Sequence, residues 1–141
     1  ASGVRTNRSG YEMVEYELKR MGAEVYHMQV PYGHAHIDGN LNLASHDVAM
    51  IHASQVPYDI CDMLKKKGYK LLECPSQTEA KQTFAINFVA IKPGLIVMPA
   101  GNPRSQELLE KNGIKVIPVE FDEVMKGFGA IHCCTAFLKR G

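Results

Sequence analysis

The sequence predicts an α/β fold assembled from repeated units, and three observations carry that prediction. The first is an internal repeat. Leu18-Lys19-Arg20-Met21-Gly22-Ala23-Glu24-Val25, Leu64-Lys65-Lys66-Lys67-Gly68-Tyr69-Lys70-Leu71 and Leu109-Glu110-Lys111-Asn112-Gly113-Ile114-Lys115-Val116 share one order, a basic or polar helix end, a glycine, then a β-branched or leucine run. Their glycines lie 46 and 45 residues apart. Positive charge in a last helical turn meets the carbonyl end of the helix dipole, and glycine just beyond accepts a left-handed cap, so each copy reads as helix, cap, strand. The second is a proline soon after each of these runs, Pro31, Pro75 and Pro118. The third is bulk composition. A chain of 141 residues, 45% hydrophobic and 22% charged, suits one folded domain over residues 1–141 and excludes disorder, collagen-like repeats and low-complexity scaffolds.

In chain order, a first helix over about Gly10 to Met21 places Tyr11, Val14, Leu18 and Met21 on one stripe, with Asn7 or Ser9 as its cap. Tyr26, Met28 and Val30 then alternate with His27 and Gln29, the period-two pattern of a half-buried strand. Asn40 to Ala44 and Val48 to Ala53 read as two short strands, followed by a helix from about Pro57 to Lys67 and a strand from Tyr69 to Cys74. Phe84 to Ile91 and Leu95 to Met98 read as paired strands joined by the turn Lys92-Pro93-Gly94. A third helix over about Arg104 to Asn112 leads into a strand, Lys115 to Val119. A short helical piece near Phe121 to Lys126 and a glycine-bearing loop into Ile131 to Leu138 close the chain. A unit of about 45 residues with one helix cannot cover its own apolar faces, so neighbouring units must stack. A plain α/β sandwich, its helix ends alike because caps are chemically repetitive, is the blander alternative.

Sixteen Lys and Arg against fifteen Asp and Glu leave a net charge of +1, so neither a nucleic-acid backbone nor an anionic membrane is indicated as partner. No run approaches the length of a bilayer span and the first residues are polar, which points to the cytoplasm. Cys61, Cys74, Cys133 and Cys134 show no CxxC spacing, and free thiols are the simplest reading. Initiator removal before Ala1 and a missing upstream segment would each explain the first residue.

Two clusters hold chemically capable groups, His34-Ala35-His36-Ile37-Asp38-Gly39-Asn40 and Gly127-Phe128-Gly129-Ala130-Ile131-His132-Cys133-Cys134-Thr135. A cysteine in a glycine-bearing loop beside a histidine is a candidate nucleophile, because a neighbouring cation or aligned N–H groups raise its thiolate fraction. A distant imidazole such as His36 suits general acid and base work near neutral pH. Asp38, two residues on, falls on the same side of an extended segment and can bind a cation or hold the imidazole. Against this, a Cys-Cys pair is often small apolar filling, and Arg5 is by default a solvated charge. His34, His36 and Asp38 would bind a metal only with further ligands from elsewhere.

The ordered set Arg5-Thr6-Asn7-Arg8-Ser9-Gly10, His36-Ile37-Asp38-Gly39, Gly101-Asn102 and Gly129-Ala130-Ile131-His132-Cys133-Cys134-Thr135 resembles the guanidino-group-modifying enzymes, namely arginine deiminases, dimethylarginine dimethylaminohydrolases and amidinotransferases. These share the pentein fold, a five-bladed α/β propeller. The resemblance implies Cys133 as nucleophile, since Thr135 stands where the family has Ser or Thr two positions on. It implies His36 as general acid and base, Asp38 as a guanidinium-binding carboxylate, and Arg5 as a contact to a substrate carboxylate. It implies a guanidine substrate and no metal or organic cofactor. The chain departs from the family by showing about three units of five and no upstream Leu-x-Gly-Gly-Asp type segment, so the expected partners include the missing N-terminal units or an oligomer. A non-catalytic binding or assembly subunit is the competing expectation. A third is a thiol or zinc sensor built on His34, His36, Cys133 and Cys134.

Overall fold

The computed structural model describes residues 1–34 and 36–138; Ala35, between the two histidines of the first cluster, lies outside them. Among the described residues there are five α-helices and six strands, the strands forming two separate three-stranded sheets. In the first sheet β1 (Leu41–Leu43) runs antiparallel to β2 (Val48–Ile51), and β2 runs parallel to β3 (Lys70–Glu73) after the crossover helix α2 (Tyr58–Lys66). The second sheet repeats this plan. There β4 (Val89–Lys92) is antiparallel to β5 (Leu95–Pro99), which is parallel to β6 (Lys115–Val119) after α4 (Pro103–Lys111). Each unit is therefore a hairpin, a helix and a returning strand, the order that the repeat predicts. All three repeat glycines, Gly22, Gly68 and Gly113, take positive φ of 82°, 87° and 80°, a conformation that any side chain would strain.

The first repeat differs from the other two. Helix α1 (Arg8–Arg20) starts with Asn7, whose side chain accepts the Gly10 N–H at 2.8 Å. The run after Gly22 joins neither sheet, and a single parallel bridge from Gln29 to Ser2 is its only ladder contact among the described residues. Met28 and Val30 are buried there and Tyr26 is exposed. The stripe expected along α1 is corrected too, because only Tyr11 is buried while Val14, Leu18 and Met21 face solvent. Two complete sheets and one partial unit stand among the described residues, and these strands do not close into a propeller.

The larger core lies between the two sheets. Met50 and Leu72 of the first meet Ile96, Met98 and Val116 of the second, with Phe88, Ile86 and Leu109 filling between them. Strand β2 is buried on both faces, so Val48 and Met50 serve this core while Ile51 packs with Ile60 and Leu64 of α2. Burial of each such side chain contributes about 1.5–3 kcal/mol. Asn42 of β1 stitches the units together by donating Nδ2 to the Ile86 and Phe88 carbonyls at 2.8 and 2.7 Å. Those carbonyls are satisfied by a side chain rather than a strand. The expected strand from Phe84 accordingly begins only at Val89, and Phe84 itself turns the chain with φ of 54°. Helix α3 (Gln77–Lys81), capped by Ser76, was not foreseen. No helix among the described residues is long and apolar enough to cross a membrane.

Candidate active site

Asp38 and Cys133 sit on two short 3₁₀ turns that the fold brings together. The first, Ile37–Gly39, leads into β1 and is tied down by the Asn40 N–H on the Ile37 carbonyl (2.8 Å) and the His52 N–H on the Asn40 carbonyl (2.8 Å). The second, His132–Cys134, closes with Thr135, whose N–H and hydroxyl both donate to the His132 carbonyl at 3.1 and 3.0 Å. Gly129 packs closely on this turn, and a Cβ there would lie 3.3 Å from the Cys133 Cβ, a tight contact. The expected run from Ile131 to Leu138 holds only that one turn of regular structure.

The Cys133 thiol donates to Asp38 Oδ2 at 3.4 Å, and His132 Nδ1 lies 2.9 Å from the same oxygen. Asn87, fully enclosed at 2% exposure, contacts Cys133 twice. Its Nδ2 donates to the sulfur at 3.1 Å and its Oδ1 accepts the Cys133 N–H at 3.3 Å. The Asn87 carbonyl also accepts the His132 N–H at 3.2 Å. Burial pushes the Cys133 thiol above its ordinary range, and the Asp38 charge adds to this, while the Ala130 backbone and the Asn87 amide pull it back.

Cys133, Asp38 and Asn87 share a cleft of about 400 Å³ with His34, His36, His52, Lys81 and Phe128. His52 is buried, and that burial, together with the nearby positive charge of Lys81 and His34, holds its imidazole below the usual range. Phe84 and Phe128, the two non-glycine residues with positive φ among those described, both line the cleft. Such backbone costs of order 1–3 kcal/mol per residue and concentrates at functional sites. A larger hollow of about 740 Å³ lies on the exposed face of α1, walled by Met13, Val14 and Tyr16, and neither a cysteine nor a histidine lines it.

The sequence-derived candidates are thus distributed unevenly. His36, Asp38 and Cys133 line one cleft, whereas Arg5 is exposed and is not among its lining residues. Cys134 is exposed and lies outside that lining. Among the described residues no three His, Cys, Asp or Glu side chains are placed to hold a metal, which leaves the sensor built on His34, His36, Cys133 and Cys134 without a ligand set. Asn102, part of the Gly101-Asn102 motif, has a tying role. It donates to the Thr83 and Pro99 carbonyls at 2.8 and 2.9 Å and accepts the Thr83 hydroxyl at 2.6 Å, anchoring the start of α4. Asn87 escaped the sequence reading, although a lone amide in Phe84-Ala85-Ile86-Asn87-Phe88-Val89 signals a polar group that needs partners once buried.

A family model described as arginine deiminase matches residues 13–140. An uncharacterized protein of Bacillus subtilis, YkgA, is 32% identical over 106 residues, covering 75% of this chain and 36% of that protein. Among solved structures, SxtG, an amidinotransferase of the saxitoxin biosynthetic pathway from Microseira wollei, superposes with a TM-score of 0.78 at 18% identity, over 96% of this chain and 42% of that one. The dimethylarginine dimethylaminohydrolase of Pseudomonas aeruginosa, solved with citrulline, gives a TM-score of 0.74 at 23% identity, over 92% and 46%. The two structural matches establish a shared fold. The chain spans less than half the length of the proteins it resembles.

Proposed function

Because the chain belongs to the arginine deiminase family, within the guanidino-modifying penteins, we propose that it carries the thiol side of the active site of a guanidine hydrolase or amidinotransferase. The observation that supports this most is the Cys133 sulfur 3.4 Å from Asp38 Oδ2, in a cleft that His36 also lines. A guanidinium is planar and resonance-stabilised, so its carbon resists attack until carboxylate hydrogen bonds fix its plane and a thiolate stands above it. Asp38 takes guanidinium N–H bonds, and the arriving cation offsets the carboxylate charge that disfavours a thiolate at Cys133. The Cys133 thiol passes its proton to His36, and the sulfur adds to the guanidine carbon. The carbon–nitrogen bond breaks as His36 hands a proton to the leaving amine, which leaves a Cys-thiouronium adduct. Water that has lost its proton to His36 attacks this adduct, the carbon–sulfur bond breaks, and the thiolate returns with release of a urea-type product. An acceptor amine in place of water makes the same sequence an amidinotransfer.

On this reading residues 1–141 form one domain of about three pentein units, and the rest of a five-unit ring comes from further chain or a partner subunit. Arg5 keeps its proposed contact to a substrate carboxylate only if those further elements carry substrate toward it. Replacement Cys133→Ser in the whole protein should abolish turnover of every guanidine tested, by about a thousandfold or more; retained activity would refute the nucleophile. A non-catalytic binding subunit is the second reading. It is favoured by Asp38 being the only carboxylate on the cleft wall among the described residues, and one partner for a guanidinium is few. Turnover of any guanidine by the intact protein removes it.

A further inference from the structure

Resting on Cys133 as the nucleophile, we propose that Asn87 is its positioning residue, one side-chain amide that fixes the sulfur at the cleft through two bonds and favours its thiolate. Nδ2 donates to Sγ at 3.1 Å while Oδ1 accepts the Cys133 N–H at 3.3 Å. Together with the His132 N–H on the Asn87 carbonyl at 3.2 Å, these bonds tie two successive residues of the 3₁₀ turn to Asn87. A bond from a neutral donor strengthens when sulfur becomes an anion, so the amide stabilises the thiolate over the thiol.

The fold holds Asn87 firmly enough for the task. Its N–H donates to the Phe84 carbonyl at 2.9 Å, and the carbonyls on either side of it, those of Ile86 and Phe88, both accept from Asn42. An asparagine at 2% exposure with both amide atoms spent on Cys133 is poorly explained as packing, since an apolar residue of similar size would fill the space without needing partners. The charged and titratable groups facing the sulfur are Asp38, which opposes the thiolate, His132 behind Asp38, and His36, His34, His52 and Lys81 on the other walls of the cleft. The amide is the neutral donor in that set that reaches the sulfur from its own wall.

The test is the pH dependence of Cys133 alkylation by iodoacetamide, followed by mass spectrometry in a Cys134→Ala background that removes the exposed neighbour. Loss of the donor in Asn87→Ala should raise the alkylation midpoint by about one pH unit. Asn87→Asp, which keeps an acceptor for the Cys133 N–H but sets a negative charge beside the sulfur, should raise it further. The midpoint is the quantity to read, because the greater nucleophilicity of a more basic thiolate partly masks the loss of rate. A purely structural amide would change thermal unfolding and leave the midpoint where it is. An unmoved midpoint in either folded variant overturns the proposal, and loss of cooperative unfolding in both does so too, by making Asn87 a folding residue. No guanidine is needed for this readout, so an intact protein that turns over none refutes the reaction proposed above while the role of Asn87 is still decided.

Discussion

Helices α1 and α4 end with the same signals and meet different fates. Helix α1 is the longer, 13 residues against nine, and it carries more local support. Its ion pairs Arg8–Glu12 at 2.7 Å and Lys19–Glu15 at 2.8 Å follow the i,i+4 spacing, worth a few tenths of a kcal/mol each at an exposed face. Yet it buries Tyr11 alone, and Val14 and Met21 stand 57% and 80% exposed. Helix α4 buries Leu109 and Ser105 completely. Its first turn is held from across the chain by Glu79, whose carboxylate accepts the N–H groups of Arg104 and Ser105 at 3.1 and 2.8 Å. The strand that follows α4 pairs along its whole length with β5, while the run after α1 makes one bridge. Amphipathic spacing marks a face for burial, and a neighbouring sheet decides whether that face is used.

The contrast breaks most directly at Leu109. Replacement Leu109→Ala should cost about 2–5 kcal/mol in denaturant unfolding, because the side chain is fully enclosed in the core between the sheets; a cost under about 1 kcal/mol would mean α4 is held no better than α1. Next comes Glu79→Ala, which strands two N–H groups at a part-buried helix start and should cost about 1–3 kcal/mol in the same measurement. Glu79→Gln, which keeps one acceptor oxygen, should cost less. The smallest effect is expected from Leu18→Ala on α1, within about 0.5 kcal/mol. A loss comparable to that at Leu109 would show that the face of α1 is covered in the intact protein, and would sharpen the comparison into one between two buried helices.

Much of the fold was legible residue by residue. The caps at Asn7 and at the three glycines, the turn at Lys92-Pro93-Gly94 and the strand Lys115–Val119 all depend on conformations set within a few residues, and all stand where the chain's own chemistry puts them. Helix α3 was not legible, because five residues are too few to show a helical period. Nor was the loss of ladder pairing from Phe84 to Phe88, since an apolar run reads as a strand whether or not another strand lies beside it. At the candidate site, His36, Asp38 and Cys133 were nominated as residue types in motifs, and the order of those motifs nominated the family. Asn87 was not, for its importance lies wholly in what it touches 46 residues away.

By itself the order of residues determined the class of fold, the repeat and its period, and the points where helices stop, because dipoles, left-handed glycines and turn geometry act over one or two turns of chain. Tertiary structure alone decided which apolar faces find a partner. It also decided that a thiol, a carboxylate and an amide drawn from positions 133, 38 and 87 share one cleft. Contacts of that reach follow from how the two sheets pack on their common core and how Asn42 joins them, and no local periodicity encodes the docking of one unit on the next.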